Sequence, residues 1–122
     1  MKNVLFFTVA LSMTFVAQVH ADGNELLQNC NKFIQFVDNP PENPDFGQIG
    51  FCLGMVQGVM YLNYVYENRL GSDALFCGPE GGINNGQASR IVVKYLKDNP
   101  QELHRHEGSL VIKAFMVAYP CD

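Results

Sequence analysis

Four cysteines, three histidines and twelve acidic residues are the groups from which this 122-residue chain could build a chemical site. The cysteines are Cys30, Cys52, Cys77 and Cys121. A structural zinc site wants close Cys-x-x-Cys-type spacing, and no two of these are near neighbours. A nucleophilic cysteine needs a lowered pKa and a nearby base; an even count in a small exported chain points instead to two disulfides. His104 and His106 flank Arg105 in a segment read as the first half of a helix. There a two-residue step turns them about 200° apart, so they would not share a metal, and one is expected packed and the other exposed. Glu102 and Glu107 read as a capping residue and a solvated helix position rather than an acid–base pair. Gly78 to Gly86 is glycine-rich, but no strand precedes it and no Lys-Ser/Thr follows, so it is not a phosphate-binding loop. Tyr61, Tyr64 and Tyr66 cluster on one helix, as core and rim packing or as binding anchors. No catalytic constellation emerges, and neither a metal nor a cofactor is expected.

The elements around these residues begin with an export signal. Lys2 precedes an apolar run from Val4 to Val19, which ends in Val19-His20-Ala21, small residues at the positions a signal peptidase reads. Spanning a bilayer takes roughly 20 apolar positions, and this run is shorter, so cleavage after Ala21 is expected rather than anchoring. Residues 1–21 are then the signal peptide and 22–122 one domain. From Asp22 on, seven Lys and Arg face twelve acidic residues, a formal charge of −5. No basic block exists, which argues against nucleic acid as a partner, and no membrane role is expected once the signal is removed.

Start and stop signals mark four helices. The first opens at Asp22, with Glu25 at the capping-box position, buries Leu26, Leu27, Cys30, Phe33, Ile34 and Val37, and stops before Pro40-Pro41. The second runs from about Phe46 to about Asn68, with Ile49, Cys52, Leu53, Val56, Val59, Met60, Asn63 and Tyr66 as its stripe. Gly50, Gly54 and Gly58 fall four apart, although each costs about 0.8–1 kcal/mol of helix propensity. Such a row admits a close backbone, expected inside the monomer, with a dimer contact as the other use. The segment from Arg69 to Ile83 is irregular and glycine-rich. A third helix starts near Asn84 and buries Ala88, Ile91, Val92, Tyr95 and Leu96. Asn99-Pro100-Gln101-Glu102 reads as the start of the fourth, which buries Leu103, Leu110, Val111, Ala114, Phe115 and Ala118.

Two helical hairpins follow, and they decide the cysteine pairing. Around a turn near Glu42, Cys30 and Cys52 come to similar heights. Around Asn99, Cys77 and Cys121 lie equally far to either side. The expected fold is an all-α, four-helix domain with disulfides Cys30–Cys52 and Cys77–Cys121. Loop-closure entropy assigns about 3.4 and about 4 kcal/mol to them.

The run Phe76-Cys77-Gly78-Pro79-Glu80-Gly81, then Gly86-Gln87, Val92-Val93-Lys94-Tyr95-Leu96, Asn99-Pro100-Gln101-Glu102-Leu103-His104, Leu110-Val111 and Ala118-Tyr119-Pro120-Cys121 resembles the Rap/Tai immunity proteins. Bacteria use these against cell-wall amidase toxins delivered by type VI secretion. Asn24-Glu25-Leu26-Leu27 with Cys30, and Cys52-Leu53-Gly54 with Gln57-Gly58, resemble the family's N-terminal half. Gly81-Gly82 stands where one glycine is common, and Asn84 where a threonine cap is frequent. The resemblance implies a periplasmic, disulfide-bonded homodimer that is not an enzyme. Its implied partner is an NlpC/P60-like cysteine amidase effector that cuts peptidoglycan stems, blocked by occlusion of its groove.

Family motifs encode scaffold rather than contacts. A loop tethered to a rigid scaffold is where recognition concentrates, so the expected partner-binding residues are Glu67, Asn68, Arg69, Ser72, Asp73 and Glu80, with Tyr64 nearby. A periplasmic chaperone or acid-stress protein is the alternative, with a small secreted enzyme a third class.

Overall fold

Asp22 sets the first helix. Its carboxylate accepts from the backbone amides of Asn24 (2.9 Å) and Glu25 (3.2 Å), capping α1, Gly23–Asp38. The computed structural model describes residues 21–70 and 74–122; of the expected leader, residues 1–21, all but Ala21 lies outside them. Asp45 caps α2, Phe46–Asn68, through the amides of Gly47 and Gln48, and Asn84 caps α3, Asn85–Asp98, through that of Gln87. A 3-10 turn, Pro100–Glu102, precedes α4, Glu107–Ala118.

The apolar periodicity delivers one core. Leu26, Cys30 and Phe33 of α1 meet Ile49, Cys52, Val56 and Val59 of α2, Ala88, Val92, Val93 and Leu96 of α3, and Leu110, Val111, Ala114 and Phe115 of α4. Both disulfides form as the hairpin argument requires, with Cα atoms 4.9 Å apart for Cys30–Cys52 and 5.0 Å for Cys77–Cys121. Gly23 is a close approach: a Cβ there would fall 2.5 Å from Leu110 Cδ1 and 2.9 Å from the Leu103 backbone. The start of α1 is thereby pressed onto the turn before α4, where the Gly23 amide donates to the Arg105 carbonyl at 3.1 Å.

Several expectations fail. The fourth helix does not start at Asn99, because that residue closes α3: its backbone and side-chain nitrogens both donate to the Tyr95 carbonyl. His104 and His106 therefore precede α4 instead of lying on it, and both are exposed. Glu107 is buried (8% exposed), its Oε2 3.2 Å from His106 Nδ1 and otherwise without a partner among the described residues. Glu102 is not a cap either. It accepts from the Tyr95 hydroxyl (2.8 Å) and from Lys113 (3.0 Å), joining α3 to α4 across the turn. Finally, Gly50, Gly54 and Gly58 are exposed, and a Cβ at any of them meets no described atom within 4 Å. Nothing described packs on them inside the monomer.

A tethered groove beside helix two

Asn63 builds the candidate site. Periodicity places it on the buried stripe of α2, where a polar side chain must find partners or cost free energy. It finds three in the segment that follows the helix. Its Oδ1 accepts from the amides of Leu75 (2.7 Å) and Phe76 (3.2 Å), and its Nδ2 donates to the Phe76 carbonyl (2.9 Å). The Phe76 ring then stacks on Phe115 with centroids 4.9 Å apart. One residue on, the Cys77 amide donates to the Tyr119 carbonyl at 2.9 Å, and its sulfur is bonded to Cys121. Three consecutive residues are thus fixed to three different places: helix two, the core and the C-terminus.

Beyond Cys77 the chain turns at Pro79–Gly82. The Gly82 amide donates to the Pro79 carbonyl (2.8 Å), and Gly82 takes φ +72°, a region that glycine enters without steric cost. The Asn84 cap then launches α3. The Gln87 side chain donates to the Tyr119 hydroxyl at 3.3 Å, a further tie to the C-terminal segment.

Between this held segment and the C-terminal half of α2 lies a concavity of about 620 Å³. Tyr61, Tyr64, Glu67 and Asn68 form one wall and Gly78, Pro79, Glu80 and Ile83 the other, with Asn63 and Phe76 at the base. Of the residues expected to bind a partner, the structure brings Tyr64, Glu67, Asn68 and Glu80 together here. Arg69 is exposed just past the helix end and does not line the concavity. Ser72 and Asp73 lie outside the described residues. Asn63, Met60 and Tyr61 were missed as site residues. The signal was a lone asparagine in an apolar stripe, which marks a buried polar anchor.

The lining holds two carboxylates, Glu67 and Glu80, and no Lys or Arg. Tyrosine and exposed carboxylates on a rigid frame suit docking to a partner with apolar and basic groups. Nothing in the lining pairs a nucleophile with a base, and among the described residues no three His, Cys, Asp or Glu side chains gather as a ligand set.

No curated protein matches the chain significantly. A family model described as Rap1a immunity proteins matches residues 22–121, the whole of the helical domain from the Asp22 cap to the Cys121 disulfide. The chain belongs to the Rap1a immunity protein family.

Proposed function

We propose that this is a periplasmic immunity protein that binds and sterically inhibits a type VI secretion peptidoglycan amidase, an NlpC/P60-like cysteine amidase. It protects the producing cell and its siblings, acts as a homodimer and is not an enzyme. The observation that carries the reading is the family match over the whole disulfide-bonded domain, joined to a docking groove whose far wall is fixed before any partner arrives. An inhibitor of this kind needs shape rather than chemistry. Ordering a loop on binding costs about 0.5–1.5 kcal/mol per immobilised side chain, and the Asn63, Phe76 and Cys77 ties meet much of that cost during folding. Export after cleavage at Ala21 would put the protein where a wall-cutting enzyme works and where disulfides persist.

The test is inhibition of the cognate amidase on purified peptidoglycan. Replacing Glu67 and Glu80 together by lysine should weaken inhibition at least tenfold while leaving the helical spectrum and melting temperature unchanged. Full inhibition by that variant would remove the groove from the mechanism, and a wild-type protein inert against every encoded amidase would remove the function.

One observation favours the chaperone alternative, namely the exposed apolar side chains Phe46, Tyr61, Leu62 and Val65 on α2. A chaperone should bind an apolar dye and unfolded clients on acidification; a dedicated inhibitor should do neither.

A further inference from the structure

We infer that the exposed face of α2 is the surface on which two copies of this chain pair, as antiparallel helices centred near Val56. The inference rests on the homodimer reading above and names its face and register. From Phe46 through Tyr66, α2 carries no charged residue, and it is long and apolar enough to cross a membrane, yet only 28% of its most apolar window is buried. Every other α-helix carries both acidic and basic residues. In a two-fold contact a surface meets itself, so any charge near the axis faces a like charge. For a chain of formal charge −5 from Asp22 on, an uncharged face is the one suited to self-association.

The same face is self-complementary in shape. At about 100° per residue, Gly47, Gly50, Gly54, Gly58, Tyr61 and Val65 all fall within about 40° of the Gly54 direction. Its N-terminal half is hollow and its C-terminal half bulky, with Tyr61 69% exposed and Val65 38% exposed. An antiparallel two-fold near Val56 sets Tyr61 of each copy into the space over Gly50 of the other, Val65 over Gly47, and Gly54 beside Gly58. A parallel pair would place Tyr61 against Tyr61 and leave the hollow half empty. A trough of about 360 Å³ runs along Gly50, Gly54 and Gly58 with Phe51, Met55 and Leu62 on its flanks, ready to take the partner's side chains.

A lipid surface is the weaker occupant. The buried Cys30–Cys52 bond holds α2 to α1, so it cannot leave the bundle to insert. The pairing also reaches the groove, because Tyr61 lines it as well. The second copy's Gly50 end would lie against that tyrosine and extend the docking surface.

The experiment uses protein purified from the periplasm, its N-terminus read by intact mass. Sedimentation at 10–100 µM, a range chosen to span ordinary homodimer affinities, should find a dimer. Gly54→Arg should be monomeric at the same concentrations with an unchanged helical spectrum, since no described atom obstructs that position. Register is read with Gly50→Cys and Tyr61→Cys: each alone should stay uncrosslinked, and the two mixed should crosslink under mild oxidant. In the antiparallel pair the two copies of residue 50 are about 17 Å apart, too far for a disulfide. A monomeric wild type, a dimeric Gly54→Arg, self-crosslinking Gly50→Cys, binding of the protein to neutral phosphatidylcholine vesicles, or a leader retained on a monomer would each overturn the inference. Amidase inhibition is measured on the same samples. A monomeric wild type that still inhibits defeats only the pairing, whereas a wild-type dimer that inhibits nothing defeats the proposed function and leaves the pairing standing.

Discussion

The α1–α2 hairpin is stitched through its centre, and the α3–α4 hairpin at its edges. Cys30 and Cys52 are both fully buried, among Leu26, Phe33 and Val56, so their bond is part of the core it crosslinks. Cys77 and Cys121 are exposed at the open end of the second pair, while Glu102, Tyr95 and Lys113 tie its closed end through hydrogen bonds. A bond at the centre serves the bundle. A bond at the edge serves whatever is attached there, and what is attached is the far wall of the groove. Loop closure alone ranks the edge bond higher, about 4 against about 3.4 kcal/mol, but it counts only the unfolded chain. Removing the buried pair also leaves a void in a packed interior.

Stability should therefore rank the bonds opposite to loop length. Replacing Cys30 and Cys52 by alanine is expected to cost about 4–5 kcal/mol, and replacing Cys77 and Cys121 by serine about 3–4 kcal/mol. Denaturant titrations of both pairs measure the order directly. Amidase inhibition should rank them the other way once each variant is held below its melting temperature. Mild reductant should open the exposed bond first, visible as two free thiols in an otherwise folded protein. Simultaneous reduction of all four sulfurs would mean that the hairpins are not separately stitched.

Asn63 is the non-covalent counterpart of the edge bond. Asn63→Ala strips the amides of Leu75 and Phe76 of their acceptor, and an unpaired buried donor costs about 1–3 kcal/mol. The loss should be local: faster hydrogen exchange at those two amides, with the α1 core still protected. Uniform loss of protection across the chain would show that this segment holds the bundle together rather than the reverse. A smaller effect belongs to the other hairpin. Asp22→Ala removes the α1 cap and should lower stability by about 1 kcal/mol, read from the denaturation midpoint.

The contrast also separates what sequence could and could not reveal. Both cysteine pairs followed from hairpin symmetry, since antiparallel helices equate residues equidistant from a turn. The starts of α1 and α3 followed from Asp22 and Asn84, whose caps are local chemistry. Where a residue's role was set by a distant element, local signals misled. Asn99 carries the signature of a helix start yet bonds backwards to Tyr95. Glu107 has the composition of a solvated position yet is covered by the fold. The glycine row promised a close neighbour, but no sequence pattern says whether that neighbour lies in the same chain. Half of the groove was legible, because Tyr64, Glu67, Asn68 and Glu80 flank the tethered loop in sequence. Its base was not, because Asn63 shares the spacing of the apolar residues around it.

The weakest stitch is electrostatic and gives the smallest expected effect. The Tyr95 hydroxyl, and after it the Lys113 ammonium, hold the Glu102 carboxyl below its ordinary value of 4.5. A group whose folded pKa is depressed contributes stability above its unfolded pKa and loses it as pH falls through the folded one. The closed end of the α3–α4 hairpin should therefore loosen below about pH 4.5, whereas the Cys30–Cys52 hairpin has no such titrating tie at its centre. Asp22, lowered below 3.8 chiefly by the Glu25 amide, adds the same sign at the start of α1. Melting temperatures of the wild type and Glu102→Gln, followed from pH 6 to pH 3, should differ slightly at pH 6 and converge at pH 3. The Glu102 side chain keeps about 20% of its surface in solvent and that of Lys113 38%, so high salt should screen the pair in part and narrow the gap. Curves that stay parallel over the whole range would show that Glu102 contributes through its shape and neutral hydrogen bonds, and that its charge is irrelevant to the hairpin.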